Sequence, residues 1–332
     1  MAKYREAWAP SGAKDDPTDA ALIEEMLERH FDKMKPLSPQ SEAMRGLQQL
    51  VEDRRRLVDD RVRLTNRITS ALKEYFPQVL QWFDDKGTLL FCDFVQRYPN
   101  ALQARRARRG TLQRFFAEHN LRIKAKVAER IDAIKSARPL TEDPAVVEPS
   151  QLLVQTRIVQ LRAVIEGIKH YDQAIAELYE GHPDFAIFDS LPAAGPVFGP
   201  RLMVAFGEDR SRFESASAVQ RYSGTAPVTR RSGKAHVVQW RYRCPTFLRQ
   251  SFVEWAALTI PRCHWAAVYY GKQRDKGNSH NQAVRALAFR WTRVLFRCWQ
   301  DRTKYSENSR LKTLRKARSP LVVATENYAA QS

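Results

Sequence analysis

A single hydroxyl set among fixed cations is the feature of this chain best suited to chemistry on phosphate. Arg230-Arg231-Ser232-Gly233-Lys234 places Ser232 between two guanidiniums and an ammonium. Arg241, Arg243 and Arg249 follow, interleaved with Trp240, Tyr242 and Phe247. Guanidiniums neutralise phosphates, and aromatic rings offer bases and sugars a stacking surface. Between Arg210 and Arg318, 24 Lys or Arg stand against 5 Asp or Glu, an excess that accounts for the whole formal net charge of +18. A phosphate polymer is the partner such an excess calls for. From residue types alone, Ser232-Gly233 also reads as ordinary turn chemistry in a basic loop. Ser223 is a competing hydroxyl, set before Gly224 at what reads as a packed helix end.

Composition bounds the scaffold. At 332 residues with 43% hydrophobic content, the chain is long enough for about two domains with packed cores. Charge interrupts every apolar run well short of the roughly 18 residues that span a bilayer, and no apolar signal stretch follows Met1. The expectation is a cytoplasmic protein with no membrane partner. Cys92, Cys244, Cys263 and Cys298 are far apart and the histidines are scattered, so reduced thiols and no structural zinc are expected. Trp255, Trp265, Trp291 and Trp299 fall on predicted helices and read as core.

The elements that must hold these residues are mostly helices. Thr18 or Asp19 is a plausible N-cap for a short helix with little before it to pack on. From Ser41 to Tyr75, Leu47, Leu50, Leu57, Leu64, Ile68 and Ala71 recur at three- and four-residue steps, predicting a long amphipathic helix. A second heptad runs Val154, Ile158, Leu161, Ile165, Ile168, Ile175 and Tyr179, with Asp172 at a core-type position that could fix register. The two could pair as an antiparallel coiled coil, within one chain or across a dimer. Between them Arg97 to Arg138 carries 12 basic and 3 acidic residues, which reads either as a solvated helical face or as a nucleic-acid contact. Pro139, Pro144 and Pro149 predict a linker, and Gly181-His182-Pro183 ends the second long helix. Leu191 to Pro200 is a Gly-Pro turn between helices, open to a phosphate approach or to plain turn geometry.

The ordered series Leu191-Pro192-x-x-Gly195, Arg212-Phe213, Tyr222-Ser223-Gly224-Thr225-Ala226-Pro227, Ser232-Gly233-Lys234 and Leu248-Arg249 resembles the C-terminal domain of the IS one-ten family of insertion-sequence transposases. Gly277-Asn278-Ser279-His280, Ala283, Ala286-Leu287-Ala288 and Arg293 are similar to that domain's closing helix, so the resemblance covers roughly residues 185 to 310. It implies a bridge-RNA-guided recombinase with a RuvC-like domain bearing four acidic residues, a coiled coil, and a C-terminal domain with a catalytic serine. Ser232 would then attack a DNA phosphodiester and hold the strand as a phosphoserine ester, with Arg230, Arg231 and Lys234 neutralising the developing charge. Lys14-x-Asp16-x-x-Asp19-Ala20 matches the family's final acidic pair. Asp16 and Asp19, at i and i+3, would be catalytic ligands of Mg2+. Without the resemblance the same pair reads as an ordinary acidic helix N-terminus.

Two departures stand out. The family's first Asp and its Glu lie upstream of this pair, and nothing precedes Met1, so the expectation is a truncated copy or a late start, with impaired activity. Ala193-Ala194 also replaces the family's usual Gly-Ile. The implied architecture is mainly α: residues 1–40 as the residual end of an α/β RuvC-like domain, 41–181 as a helical coiled-coil region, 185–310 as a helical transposase domain, and 320–332 as a disordered tail. The implied function is DNA transposition by strand cleavage and rejoining, with DNA, a structured guide RNA and a second copy as partners. The alternative is a non-catalytic, dimeric nucleic-acid-binding protein.

Overall fold

Helices carry the fold, and one two-stranded antiparallel sheet interrupts them among the residues that the computed structural model describes, 2–8, 15–34, 38–121, 123–233 and 235–331. The chain divides into two units, residues 1–41 and 42–332.

The first unit contains α1 (Ala2–Trp8) and α2 (Asp16–His30). The N-cap of α2 is Asp15, earlier than the expected Thr18 or Asp19, because its carboxylate accepts the Thr18 backbone N–H at 2.7 Å. Hydrogen bonds from Thr18 hold the Asp15 carboxyl below its usual range. No strand occurs among the described residues of this unit, so the expected α/β remnant is helical here.

The second unit opens with α3 (Glu42–Tyr75), followed by α4 (Val79–Trp82), α5 (Leu89–Arg97), α6 (Ala101–Arg106), α7 (Arg109–Glu118), α8 (Lys124–Ser136) and α9 (Pro144–Glu180). α9 starts inside the expected linker: Asp143 caps it, Pro144 occupies its first turn, and Pro149 lies within the helix. α3 and α9 pair antiparallel within the chain. Arg54 is ion-paired with Asp172, Leu57 lies beside Gly167, and Arg157 Nη1 donates to the Arg67 carbonyl at 3.0 Å. All seven apolar heptad positions of α9, Val154 to Tyr179, are buried. Asp172 is half-exposed at the edge of the seam rather than within it.

This helix pair runs through two hydrophobic cores. The C-terminal half of α3 and the N-terminal half of α9 close over α4–α8 around Phe76, Trp82, Phe94 and Phe116. At the other end Met44, Leu47, Val51, Ile175 and Tyr179 join a core built from mostly helical residues between Phe185 and Trp299. The expected boundary at 181–185 is therefore bridged by one continuous apolar cluster, because the spine donates its far end to the C-terminal core.

That core is formed by α10 (Phe185–Asp189), α11 (Gly195–Phe206), α12 (Ala216–Tyr222), α13 (Thr246–Thr259), α14 (His264–Asp275) and α15 (His280–Gln300), while β1 (Val228–Ser232) and β2 (Ala235–Gln239), between α12 and α13, contribute no described residue to it. Four fully buried tryptophans organise it, and each indole N–H finds an acceptor at 2.9 Å: Trp255 the Pro192 carbonyl, Trp265 the Tyr305 hydroxyl, Trp291 Thr259 Oγ1, and Trp299 the Gly207 carbonyl. The α10–α11 turn, with Ala193 at φ +59° and Gly195 at φ +48°, is thus tied to α13 through Pro192. The chain ends in α16 (Glu307–Lys316) and α17 (Leu321–Gln331). Residues 321–331 are helical, not disordered as expected, because Leu321, Val322 and Thr325 are buried and the first two cluster with Leu314.

Candidate nucleic-acid interface

The segment after α12 is pinned before it becomes a hairpin. Gln220, almost fully buried, donates from its side-chain amide to the Phe289 carbonyl on α15 at 2.7 Å, and its own carbonyl accepts the Ala226 N–H at 2.9 Å. Ser223 Oγ lies 3.3 Å from Thr225 Oγ1, which lies 3.4 Å from Thr292 Oγ1, so a buried hydroxyl chain ties the turn to α15. Gly224 adopts φ +74°, and a Cβ there would collide with Cys244 Sγ and fall 2.9 Å from Cys244 Cβ. Only glycine lets the two backbone segments close. Ser223 is therefore a buried structural hydroxyl, with 1% of its surface exposed, and is closed to a substrate.

From this root the hairpin projects. β1 and β2 pair in the register Val228↔Gln239 through Ser232↔Ala235, with Gly233 at φ +53° in the two-residue connection. Ser232 is exposed at the end of β1, and Arg231, paired with His236, is exposed beside it. Arg230 pairs with Val237 in the ladder, while Lys234 and Lys14 lie outside the described residues. Four residue steps separate root from tip, a rise of about 13 Å.

Arg241 and Arg249 hold the return strand. Arg241 Nε donates to the Ala226 carbonyl at 3.2 Å, and Arg249 Nη1 donates to the Arg241 carbonyl at 3.1 Å. The Arg249 guanidinium also lies 5.3 Å from the Trp240 ring, and the Arg285 guanidinium lies 4.7 Å from the same ring. Arg243 and Tyr242 are exposed, the latter at 79%. Phe247, expected as a stacking surface, is instead packed on the core beneath the buried Arg201, whose guanidinium is 5.1 Å away. Burial holds the Arg201 pKa below its ordinary value, and Glu254, which accepts from both Arg201 and Arg55, opposes that shift.

Sequence reasoning missed Tyr269, Arg285 and Phe289. They face the hairpin root from α14 and α15, lining a cleft of about 400 Å³ with Thr225, Val238 and Trp240. Arg285 and Phe289 stand at i and i+4, a spacing that puts them on one helical face and could have signalled them.

Asp16 and Asp19 open α2 in the first unit, three residues apart. Asp19 Oδ1 accepts from Arg5 Nε at 3.0 Å and also from Arg5 Nη2. Among the described residues no group of three or more His, Cys, Asp or Glu side chains is placed to hold a metal ion. Mg2+ is commonly held by one or two carboxylates with water and phosphate oxygens completing an octahedron, but here the Asp19 carboxylate is already engaged by the Arg5 guanidinium.

The hairpin stands as a basic projection on a helical base. Residues 1–77 match a DEDD transposase family of the IS110 type, and residues 186–272 match the transposase IS116/IS110/IS902 family. The chain is 30% identical over 313 residues to the mini-circle putative transposase for IS117 of Streptomyces coelicolor, covering 92% of this chain and 75% of that protein. It is 29% identical to a 44.8 kDa protein of insertion element IS116 from Streptomyces clavuligerus (88% and 73% covered), and 29% identical to a 43.6 kDa protein of insertion element IS110 from Streptomyces coelicolor (89% and 73%). The chain belongs to the IS116/IS110/IS902 family of transposases. Transposases cut and rejoin DNA, and those of the DEDD type generally use divalent metal ions. No helix among the described residues is long and apolar enough to cross a membrane.

Proposed function

We propose that the chain binds DNA through the β1–β2 hairpin and its flanking cations, and that Ser232 Oγ is the nucleophile of strand exchange. The oxygen attacks phosphorus, the P–Oγ bond forms as the bond to the departing sugar oxygen breaks, and the serine proton is released while that oxygen takes one up. The phosphoserine ester conserves the bond energy until a hydroxyl of another strand displaces the serine. Arg230, Arg231 and Lys234 would neutralise the charge that develops on the non-bridging oxygens. Arg241, Arg243 and Arg249 would hold the adjoining backbone. The observation that carries this reading is the contrast between the two hydroxyl candidates: Ser232 is exposed at the tip of a hairpin with a fixed root, whereas Ser223 is buried.

Mg2+-dependent cleavage is proposed to be impaired in this chain, since Arg5 occupies the Asp19 carboxylate. A structured guide RNA and a second copy are the proposed partners, acting with DNA in the cytoplasm at the nucleoid. Because the α3–α9 seam is filled within one chain, a second copy would meet outer positions of the pair, where Leu152 and Val159 are exposed.

The test is recovery of a protein–DNA adduct that survives denaturation, using nicked duplex DNA. Ser232→Ala should abolish the adduct and leave affinity nearly unchanged, because affinity comes from Arg and Lys contacts to phosphate. An adduct that persists in Ser232→Ala moves the nucleophile elsewhere. The second reading, a non-catalytic binding protein, is favoured by the Arg5–Asp19 pair, and binding without any adduct from the parent chain would select it.

A further inference from the structure

The cleft at the hairpin root has the chemistry of a nucleobase site. Its walls are three partly buried aromatic residues from three elements: Trp240 after β2, Tyr269 on α14 and Phe289 on α15. Arg285, with its guanidinium 4.7 Å from the Trp240 ring centroid, is the cation in the wall, and no carboxylate lines the cleft. Gln239 and Gln282 supply the polar groups, the Thr225 hydroxyl being spent on Ser223, Thr292 and the Gln220 carbonyl. Gln282 spends its side-chain oxygen on the Ser279 N–H at 2.8 Å, which fixes the amide where its NH2 remains as a donor. The volume of about 400 Å³ falls within the span of small-ligand pockets, about 300–1,000 Å³. A second cleft of about 280 Å³ lies against Trp240, Arg249 and Arg285, so cations continue from the aromatic walls along the adjoining surface, and Glu254, which also lines it, is ion-paired with Arg55 and Arg201.

We infer that this cleft receives one unstacked nucleobase of the bound strand, with its neighbouring phosphate on Arg285. The inference rests on the nucleic-acid-binding reading above and adds a base-holding subsite to it. Charge selects the occupant. Cation-lined aromatic walls without a carboxylate, in a region of 24 basic and 5 acidic residues, suit an anionic ligand with a planar π-face. The base would be held at the root, about 13 Å from Ser232 at the tip. A strand gripped there is anchored next to its reacting phosphodiester, and extruding one base locally opens the duplex.

The probe is a pair of fluorescently labelled 15-residue oligonucleotides, one with every position abasic and one carrying a single central thymine. The full chain should bind the thymine-bearing strand about 5- to 150-fold more tightly, the range for one base on an aromatic platform. Phe289→Leu keeps the apolar volume and the backbone acceptor of Gln220 but removes the planar face. It should bring the two affinities within about threefold of each other while leaving binding of the all-abasic strand unchanged. Replacing the thymine with 5-iodouracil and irradiating should crosslink the parent at Trp240, Tyr269 or Phe289. Equal binding of both strands by the parent, or crosslinks mapping only outside the cleft, overturns the inference and leaves the binding reading standing. Failure to bind either strand at low salt overturns both. Concentration-dependent protection of Phe289 in the absence of DNA overturns it in favour of a second copy as occupant.

Discussion

Replacing Gly224 with alanine tests whether the hairpin root, rather than the hairpin itself, governs this domain. At φ +74° an L-residue costs roughly 1–2 kcal/mol. The added Cβ also collides with Cys244 Sγ and sits 2.9 Å from Cys244 Cβ, an overpacking that costs about 1–3 kcal/mol. The sum is about 2–5 kcal/mol, read from urea unfolding and from faster amide exchange at Ala226, whose N–H is held by the Gln220 carbonyl. The two contributions separate in a double-mutant cycle. Cys244→Ala removes the sulfur but not the Cβ, so in that background Gly224→Ala should cost about 1 kcal/mol less, a coupling within the range for residues in contact. DNA affinity should fall with the loss of root order, because Arg241 and Arg249 bond to the segments that flank β1 and β2. A cost below about 0.5 kcal/mol, or simple additivity with Cys244→Ala, would refute the reasoning.

Duplex binding should weaken steeply with salt, the log–log slope growing by about 0.9 per phosphate neutralised, and Arg231→Ala or Arg243→Ala should each reduce that slope by about 1; a flat titration would remove the electrostatic basis. Ile165→Lys places a charge in the intrachain seam and should cost several kcal/mol, on the order of 3–5, lowering the melting midpoint in circular dichroism equally at dilute and concentrated protein. If instead only the oligomeric mass changes, the seam is intermolecular. Burial pushes the thiols of Cys92 and Cys263 up to about 12 and that of Cys298 to about 11, so at pH 8 they stay protonated, and maleimide should label half-buried Cys244 first. Mass spectrometry finding Cys92 or Cys263 labelled as fast would contradict the packing of the core that holds it.

The long helices were legible because burial along a helix leaves a periodic trace, and α9 buries all seven residues from Val154 to Tyr179 that the heptad marks. Capping was legible at Gly181 but not at Asp15, since Asp15, Thr18 and Asp19 are all good caps and only the Asp15–Thr18 hydrogen bond decides among them. The hairpin escaped notice. Arg230 to Lys234 has the composition of a loop, and the alternation that betrays a strand is short, confined to Val228-Thr229 and Val237-Val238. Tail residues Leu321 and Val322 read as unpartnered because their partner Leu314 belongs to a helix whose exposed faces are strongly basic. Ser232 stood out through its neighbours. Tyr269, Arg285 and Phe289 did not, because they converge only when α14 and α15 fold against β2, a proximity that no local pattern encodes.

The α3–α9 spine couples the lengths of two segments that lie some seventy positions apart in the chain. Its 34-residue member extends about 51 Å and helps to close a separate core at each end, so neither helix can gain or lose residues alone without sliding one core out of register. Insertions tolerated during divergence should therefore come as matched pairs, in heptads that restore the seam, or fall in the connections between α4 and α8, where no such matching applies. A lone deletion of two residues in α9 would turn its apolar face by about 200° and leave α3 opposite charged positions, which makes the spine a checkpoint on the viable lengths of descendants of this chain.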